Sequence, residues 1–484
     1  MRPSSNRARR WLASLARSGT ARRRALVLLP ALALATAFAA GLALAAVSGG
    51  WPGLLPSVGV LLLVLVLAVL LGRWAANAVR SLRVERRAFW LEEKLAPLEL
   101  TVTEEEPVRV NVIHPAIDLR HFFGGFIAVF NLARRLRERG HRVRLLVLDP
   151  PDLPSDWRRR LCSFEGIGAS AETLEVVFAH DRRAIPAHPD DALVATHWTA
   201  AHVAAGAAVG LRAKRLLYLI QEYEPFIFPM GSAAALARAS YDLPHTALFS
   251  TELLRQWFAD ERIGVYAGSL EDGDRHSASF ANAITPVGPV GEENLARPGP
   301  RRLLFYARPE EHAARNLFEI GAMGLDAALA EGRFAGWDLI GVGSVAAGEM
   351  ALRMPRSGRS LRLHPRTTQD RYAALLRSGD VGLALMHTPH PSLVPIEMAG
   401  AGMPAVTTEF ANKDAAALAR ISPNLIAAKP TAEGVAAALA EAERRMADLE
   451  RRAAGSHVDW PSSWDVALAD PLLERVEQLL RAAA

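Results

Sequence analysis

Two arginines and one glutamate frame the chemistry open to this chain. Arg308 follows the apolar run RRLLFYA, and Arg315 with Asn316 stands at the start of an expected helix. Guanidinium groups at a strand exit and a helix start can clamp a diphosphate, because their planar forks match phosphate oxygens two bonds at a time. Arginines are also common at such places on plain surfaces. Glu397 sits in HTPHPSLVPIEMAGAGMPAVTTEF, residues 387–410, where a proline-rich loop runs into a short apolar helix. Ser392 is the expected N-cap and Pro395 fits the first turn, so a helix from about 393 to 401 would turn its N-terminus to the loop. Such an end attracts phosphate through its free amides and its dipole. If Ile396, Met398 and Ala399 face a sheet, Glu397 faces a cleft and can accept from a sugar hydroxyl; the alternative is an exposed helix glutamate.

Glycines mark two further positions. Gly341 and Gly343 in LIGVGS, and Gly124 with Gly125 after DLRHFF, read as tight strand exits. Neither forms GxGxxG, so the dinucleotide fingerprint is absent. QEYEP (221–225) leaves an apolar run, which lets Glu222, Tyr223 or Glu224 face the same cleft. His197 in ATHWTA also follows a strand, where a histidine is either a structural group or a sugar contact. The Asp-x-Asp at 272–274 lies in a Gly/Ser-rich stretch and reads as loop solvation. No His/Asp/Glu spacing suggests zinc, and the single Cys162 excludes an intramolecular disulfide or a cysteine cage, so no metal is expected.

These residues need strands and helices to carry them. From residue 107 the pattern is strand, loop, helix, repeated: PVRVNVIHP, then FIAVFNLARRLRERG closed by Gly140, then HRVRLLVLD, with DALVAT, RLLYLIQ and HTALFS following. Apolar runs that end in polar residues before helical stretches suit a parallel sheet covered on both faces. The Gly/Pro/Ser-rich region from about 262 to 300 holds the interdomain connection. A second series then runs through RRLLFYARP, NLFEIGAMGLDAALA, WDLIGVGS, LRLHPR, DRYAALLRSG and VGLALM. The expected organisation is α/β, two doubly wound Rossmann-like domains facing a cleft, over 107–285 and 286–484, with the last helices packing back toward the first domain.

The charge confines the rest. The net +5 is concentrated at one end: residues 1–24 hold eight arginines and no acid, and residues 73–98 hold six bases against three acids. With 14 bases against 3 acids, residues 1–98 carry +11, which leaves −6 on the remainder and removes the case for nucleic acid. Between the basic blocks lie two uncharged segments, 25–47 and 54–71, each about long enough for a hydrocarbon core of roughly 30 Å. A secretory signal is the alternative, but its apolar region is about 7–15 residues and would not be followed at once by another. The expectation is a basic tail (1–24), a transmembrane hairpin (25–72) and a linker helix (73–106), which lies on the membrane or is plainly solvated. Arginines flank both outer ends, so both face the cytoplasm, with Trp51 and Trp74 at the interfaces.

The ordered set of motifs resembles glycosyltransferase family 4, of GT-B fold, over roughly residues 107–480. LLYLIQEYEPFIFPMGSAAALARASYD, ALFSTELL, ARPEEHAARNLFEIG and MHTPHPSLVPIEMAGAGMPAVTTEFANK are similar to its WsaF-type rhamnosyltransferases. The resemblance implies a retaining, metal-independent enzyme without a cofactor. Arg308 and Arg315 then match the diphosphate-binding base pair, the second usually lysine. Glu397 matches the second acid of the Glu-x7-Glu motif, which accepts from the nucleotide ribose, and the first acid is replaced by Pro389. Amides near Ser392 and Leu393 would face phosphate, with Gly124, Gly125 and Gly343 lining the donor site and Glu222 and His197 on the sugar side. The resemblance also implies that the leaving diphosphate itself accepts the acceptor's proton. The implied function is transfer of a deoxyhexose, rhamnose from dTDP-rhamnose, to a surface polysaccharide or lipid-linked glycan at the bacterial inner membrane, on its cytoplasmic side. Two alternatives stand beside it: a nucleotide-sugar 2-epimerase of the same fold, which would need cleft acids and histidines for proton abstraction, and a non-catalytic scaffold of a polysaccharide assembly complex.

Overall fold

The computed structural model describes residues 88–484, apart from 120–123, 165, 182, 297, 345–347, 349, 366–368 and 484, together with residues 65, 66, 69, 70, 72 and 73. The expected basic tail and most of the expected hairpin lie outside the described residues. Among the described residues no helix is long and apolar enough to cross a membrane.

The chain from Lys94 onward forms one unit built on two large sheets. In the first half the strands are β1 (Leu100–Val102), β2 (Val110–His114), β3 (Val143–Val147), β4 (Glu175–Phe178), β5 (Ile185–Ala187), β6 (Ala192–Ala195), β7 (Leu216–Ile220), β8 (His245–Ser250) and β9 (Ser277–Phe280). Seven of them form an all-parallel sheet in the order β4-β3-β2-β6-β7-β8-β9. The first crossover is helix α1 (Gly124–Glu138), closed by Gly140 at φ +93°. Strand β7 shows why the sheet is covered on both sides. Leu217 and Leu219 enter the core on one face, while Leu216, Tyr218 and Ile220 enter the other. All five are buried, as a period of two demands when neither face meets water.

In the second half β10 (Arg302–Tyr306), β11 (Asp338–Val342), β12 (Met350–Arg353), β13 (Ser360–Leu363), β14 (Val381–Leu383), β15 (Ala405–Thr408) and β16 (Leu425–Ala428) form a sheet in the order β12-β13-β11-β10-β14-β15-β16. Every pair is parallel except β12 with β13. Helix α2 (Gln369–Arg377) precedes β14, and α3 (Leu393–Gly400) lies between β14 and β15. The final helix, α4 (Asp470–Ala482), returns to the first half. Its Leu473, Val476, Leu479 and Leu480 join that core, and Arg139 Nε reaches Glu477 Oε1 at 2.7 Å.

Several expectations need correction. Residues 88–95 are helical, but the supposed linker helix ends there. Leu98 is buried, and β1 pairs in parallel with β5, so residues beyond Lys94 are built into the first half. The stretch expected to be loop solvation around Asp272 and Asp274 is a helix, Leu270–Arg275, capped by Ser269 and followed by β9. Asp274 is paired with Arg255 at 2.6 Å rather than merely solvated. A window rich in Gly and Ser hid this short helix, because six residues cannot display a helical period.

Candidate functional site

The loop between β14 and α3, residues 384–392, joins the two halves. Strand β14 is buried throughout, so its exit is fixed, and apolar α3 buries Ile396, Met398 and Ala399 against the second core. Between them Ser392 adopts φ +67° and ψ 147°, a sparsely populated conformation for a residue with a side chain. Strain of this kind costs about 1–3 kcal/mol and persists where the surroundings enforce it. Here the enforcing contact is Ser392 N–H donating to His390 Nδ1 at 3.0 Å. Ser392 therefore does not cap the helix with its hydroxyl as expected. Its backbone turn instead leaves the first amides of α3 without intrahelical acceptors, and Pro395 has none to offer.

Arg308 and Arg315 converge on one residue. Arg308 Nη2 lies 2.8 Å from His312 Nε2, and Arg315 Nη1 donates to the His312 carbonyl at 3.1 Å. Arg308 is buried, its Nη1 donating to Tyr306 Oη at 3.3 Å. Gly343, at φ +93°, is required here: a Cβ would stand 2.3 Å from the Tyr306 ring and 3.4 Å from Arg308 Cγ. Arg315 and Asn316 do not begin a helix. They end a 3-10 segment, Glu311–Asn316, and Leu317 at φ 48° separates it from the helix Phe318–Ala330. Asn316 is buried and donates to the Leu385 carbonyl at 3.1 Å, while the Arg315 carbonyl accepts from His387 N–H at 2.9 Å. The loop is thus fastened to the arginine-bearing segment.

From the other half, Gly124 and Gly125 open helix α1 rather than forming a strand exit. A Cβ on Gly124 would meet Leu393 Cδ1 at 3.1 Å, so the absent side chain lets the starts of α1 and α3 approach. The Gly125 carbonyl accepts from Gln221 Nε2 at 3.0 Å. Next to Gln221, Glu222 crosses to the second half: Oε2 accepts from Thr388 Oγ1 at 3.3 Å and lies 3.8 Å from Arg315 Nε. Burial pushes its carboxyl above the ordinary range, with Arg315 opposing.

His197 and Glu224 form a separate pair inside the first half. The His197 ring accepts from Thr199 N–H through Nδ1, which puts its proton on Nε2, 3.3 Å from Glu224 Oε1. Tyr218 Oη bonds Glu224 Oε2 at 2.8 Å. Burial drives His197 down to about 3 and Glu224 up to about 8, so both are neutral near pH 7. His197 thus holds its Nδ1 on Thr199 and turns its Nε2 toward Glu224.

Glu397 is buried rather than exposed. Its Oε1 accepts from Thr285 N–H at 2.9 Å and its Oε2 from Tyr372 Oη at 2.8 Å, and burial raises its carboxyl. Thr285 lies on the connection between the halves, beside Asn282, whose carbonyl accepts from Trp460 Nε1 at 2.8 Å. The glutamate therefore ties the connection to the second half. Sequence reasoning missed Lys413, Thr388, His390 and Tyr372. A lone lysine in the polar stretch EFANKD carries no sign of burial; only the fold supplies it. Among the described residues no group of three or more His, Cys, Asp or Glu side chains could hold a metal ion.

Comparison with known proteins adds identity to this geometry. Residues 109–252 match the model described as WsaF, N-terminal domain, and residues 301–440 that described as WsaF, C-terminal domain. The O-antigen biosynthesis protein RfbC of Myxococcus xanthus is 30% identical over 338 residues, 66% of this chain and 23% of that protein, so the chain spans under a quarter of that relative's length. The sucrose-phosphate synthase of Thermosynechococcus elongatus superposes with a TM-score of 0.52 at 14% identity, over 78% of this chain and 100% of the other. That likeness is one of fold: the two-domain GT-B arrangement.

Proposed function

Because the chain belongs to the WsaF family, we propose that it is a membrane-anchored, retaining glycosyltransferase moving rhamnose from dTDP-rhamnose to a surface polysaccharide or lipid-linked glycan. The observation that carries the donor site is the convergence of Arg308 and Arg315 on His312, beside a strained loop that delivers the start of α3. Two guanidinium groups and unpaired helix amides suit a diphosphate whose charge grows as the glycosidic bond breaks. Retention is then served by the leaving diphosphate taking the acceptor's proton, with the protein holding charge and geometry. The name of the Myxococcus relative, an O-antigen biosynthesis protein, supports the glycan acceptor. The arginine-flanked apolar segments of the sequence support an inner-membrane anchor with the catalytic halves in the cytoplasm.

The test is to incubate the purified full chain with dTDP-rhamnose, UDP-glucose and other nucleotide sugars, with and without membrane glycolipid, and follow nucleoside diphosphate release. Release from dTDP-rhamnose that rises with glycolipid supports the reading. Preference for another sugar nucleotide overturns the donor, and conversion of the sugar without release overturns transfer in favour of epimerisation.

A further inference from the structure

Lys413 is fully buried, yet it belongs to none of the groups assigned above. Its backbone N–H and carbonyl pair with Phe410, which anchors the residue where the chain leaves β15. Its Nζ donates to the carbonyl of Met386 and, at 3.4 Å, to that of His390. Both carbonyls belong to the loop between β14 and α3. The His390 ring in turn accepts from Ser392 N–H, the contact that holds Ser392 in its strained turn. From the opposite side Glu222 grips the same loop through Thr388. A buried ammonium is costly unless its protons are used and its charge is opposed. Here carbonyls supply the bonds and Glu222 the opposing charge.

We propose that Lys413 is the positioning residue of the donor site: it fixes residues 386–392 in the shape that presents the start of α3, and its ammonium adds positive potential beneath the bound diphosphate. The inference rests on the donor reading above. Its distinguishing consequence is a coupling between donor binding and protonation. Burial brings Lys413 down to about 7, so at working pH it is divided between charged and neutral forms. A bound anion favours the charged form, so binding takes up protons and affinity falls as pH rises through 7. The lysine's share of any uptake is the part that Lys413→Met abolishes. His390 is held at about 3 and His387 is also lowered by burial, while burial raises the Glu222 carboxyl against the opposing pull of Arg315.

The experiment is calorimetry of dTDP-rhamnose binding to the full chain at pH 6 to 8.5, in buffers of different ionisation enthalpy. This diphosphate diester has no proton of its own to exchange there. A one-unit rise of the lysine on binding gives about tenfold weaker affinity at the alkaline end and uptake of roughly 0.4 proton at pH 8. Lys413→Met, which keeps the length and removes the charge, should bind about tenfold more weakly at pH 6.5 and show no uptake. Wild-type binding without uptake, or uptake that survives in Lys413→Met, overturns the inference while leaving the donor reading intact. Where Lys413→Met does not fold, Lys413→Gln, which keeps a hydrogen-bond donor and removes the charge, takes its place in the same measurement. No binding of dTDP-rhamnose or UDP-glucose by wild type removes the donor reading, and this inference with it.

Discussion

Replacing Glu397 by alanine and by glutamine separates two jobs that a single substitution would confuse. Alanine removes the acceptor of Thr285 N–H and of Tyr372 Oη in a buried place. Each orphaned donor costs about 1–3 kcal/mol and the vacated volume adds to that, so Glu397→Ala should lose about 3–5 kcal/mol. Glutamine keeps the shape: its carbonyl can accept from Thr285 while its amide donates to the Tyr372 oxygen. It forfeits the charge assistance of two bonds, roughly 1 kcal/mol each, but also relieves a buried charge whose desolvation raises the carboxyl. The two nearly cancel, so Glu397→Gln should stay within about 1 kcal/mol of wild type. Urea unfolding followed by tryptophan fluorescence measures both, and calorimetry with dTDP-rhamnose on the folded glutamine variant measures the donor role. An affinity loss of roughly tenfold is expected if the carboxylate also takes a hydroxyl of the nucleotide's sugar. Stability of Glu397→Ala within 1 kcal/mol of wild type would refute the tie to the interdomain connection. Unchanged donor affinity in Glu397→Gln would leave the tie as the residue's whole role.

Arg308→Ala and Arg315→Ala should lower turnover more than ground-state donor affinity, because the diphosphate's charge grows in the transition state; equal losses in kcat/KM and in affinity, at unchanged kcat, would count against the clamp. Glu224→Gln should gain stability relative to wild type between about pH 4.5 and 8. The unfolded glutamate loses its proton near 4.5 while the folded one holds it to about 8, so wild-type stability falls across that window and a flat difference between the two proteins would contradict the burial argument. A chain starting at Lys94 should fold and bind donor, whereas one starting at 107 loses β1 and buried Leu98 and should be less stable by about 2 kcal/mol or more; equal urea midpoints would show the segment to be dispensable. Reporters fused before Arg2 and after Ala484 should both read cytoplasmic, and an external C-terminus would remove access to nucleotide sugars.

The large strands were legible because buried parallel strands announce themselves as apolar runs: RLLYLI and HTALFS became β7 and β8 without ambiguity. Short or half-exposed elements were not. Strand β12 has exposed residues along most of its length, and β1 has three residues, so neither offers a pattern to read. The site was legible in its members but not in their connections. Arg308, Arg315, Glu222 and Glu397 could be chosen from residue type and position, yet spacing cannot reveal that His312 joins the two arginines, or that Glu397 is turned onto Thr285, 112 positions away. His197, read from the sequence as either a structural group or a sugar contact, depends on the fold in the same way. Its position after a strand fits both, and only the fold shows Glu224 Oε1 3.3 Å from its Nε2.

The contacts across the cleft bear on how a donor enters. Gly124 approaches Leu393, Glu222 holds Thr388 and faces Arg315, and Ser250 Oγ stands 3.5 Å from His390 Nε2. These close the halves over the loop that should meet diphosphate. The polar contacts at this loop are long, 3.3 Å, 3.8 Å and 3.5 Å, against the 2.8 Å and 2.9 Å of the bonds that keep Glu397 in place, while away from the loop Asn412 Nδ2 donates to the Leu253 carbonyl of the first half at 2.8 Å. Attraction between charges and dipoles weakens with distance and with water, so the contacts at this loop are weaker than those of Glu397. An incoming diphosphate, carrying more charge than the Glu222 carboxylate, can therefore draw Arg315 away from it while the Glu397 tie still holds the connection between the halves.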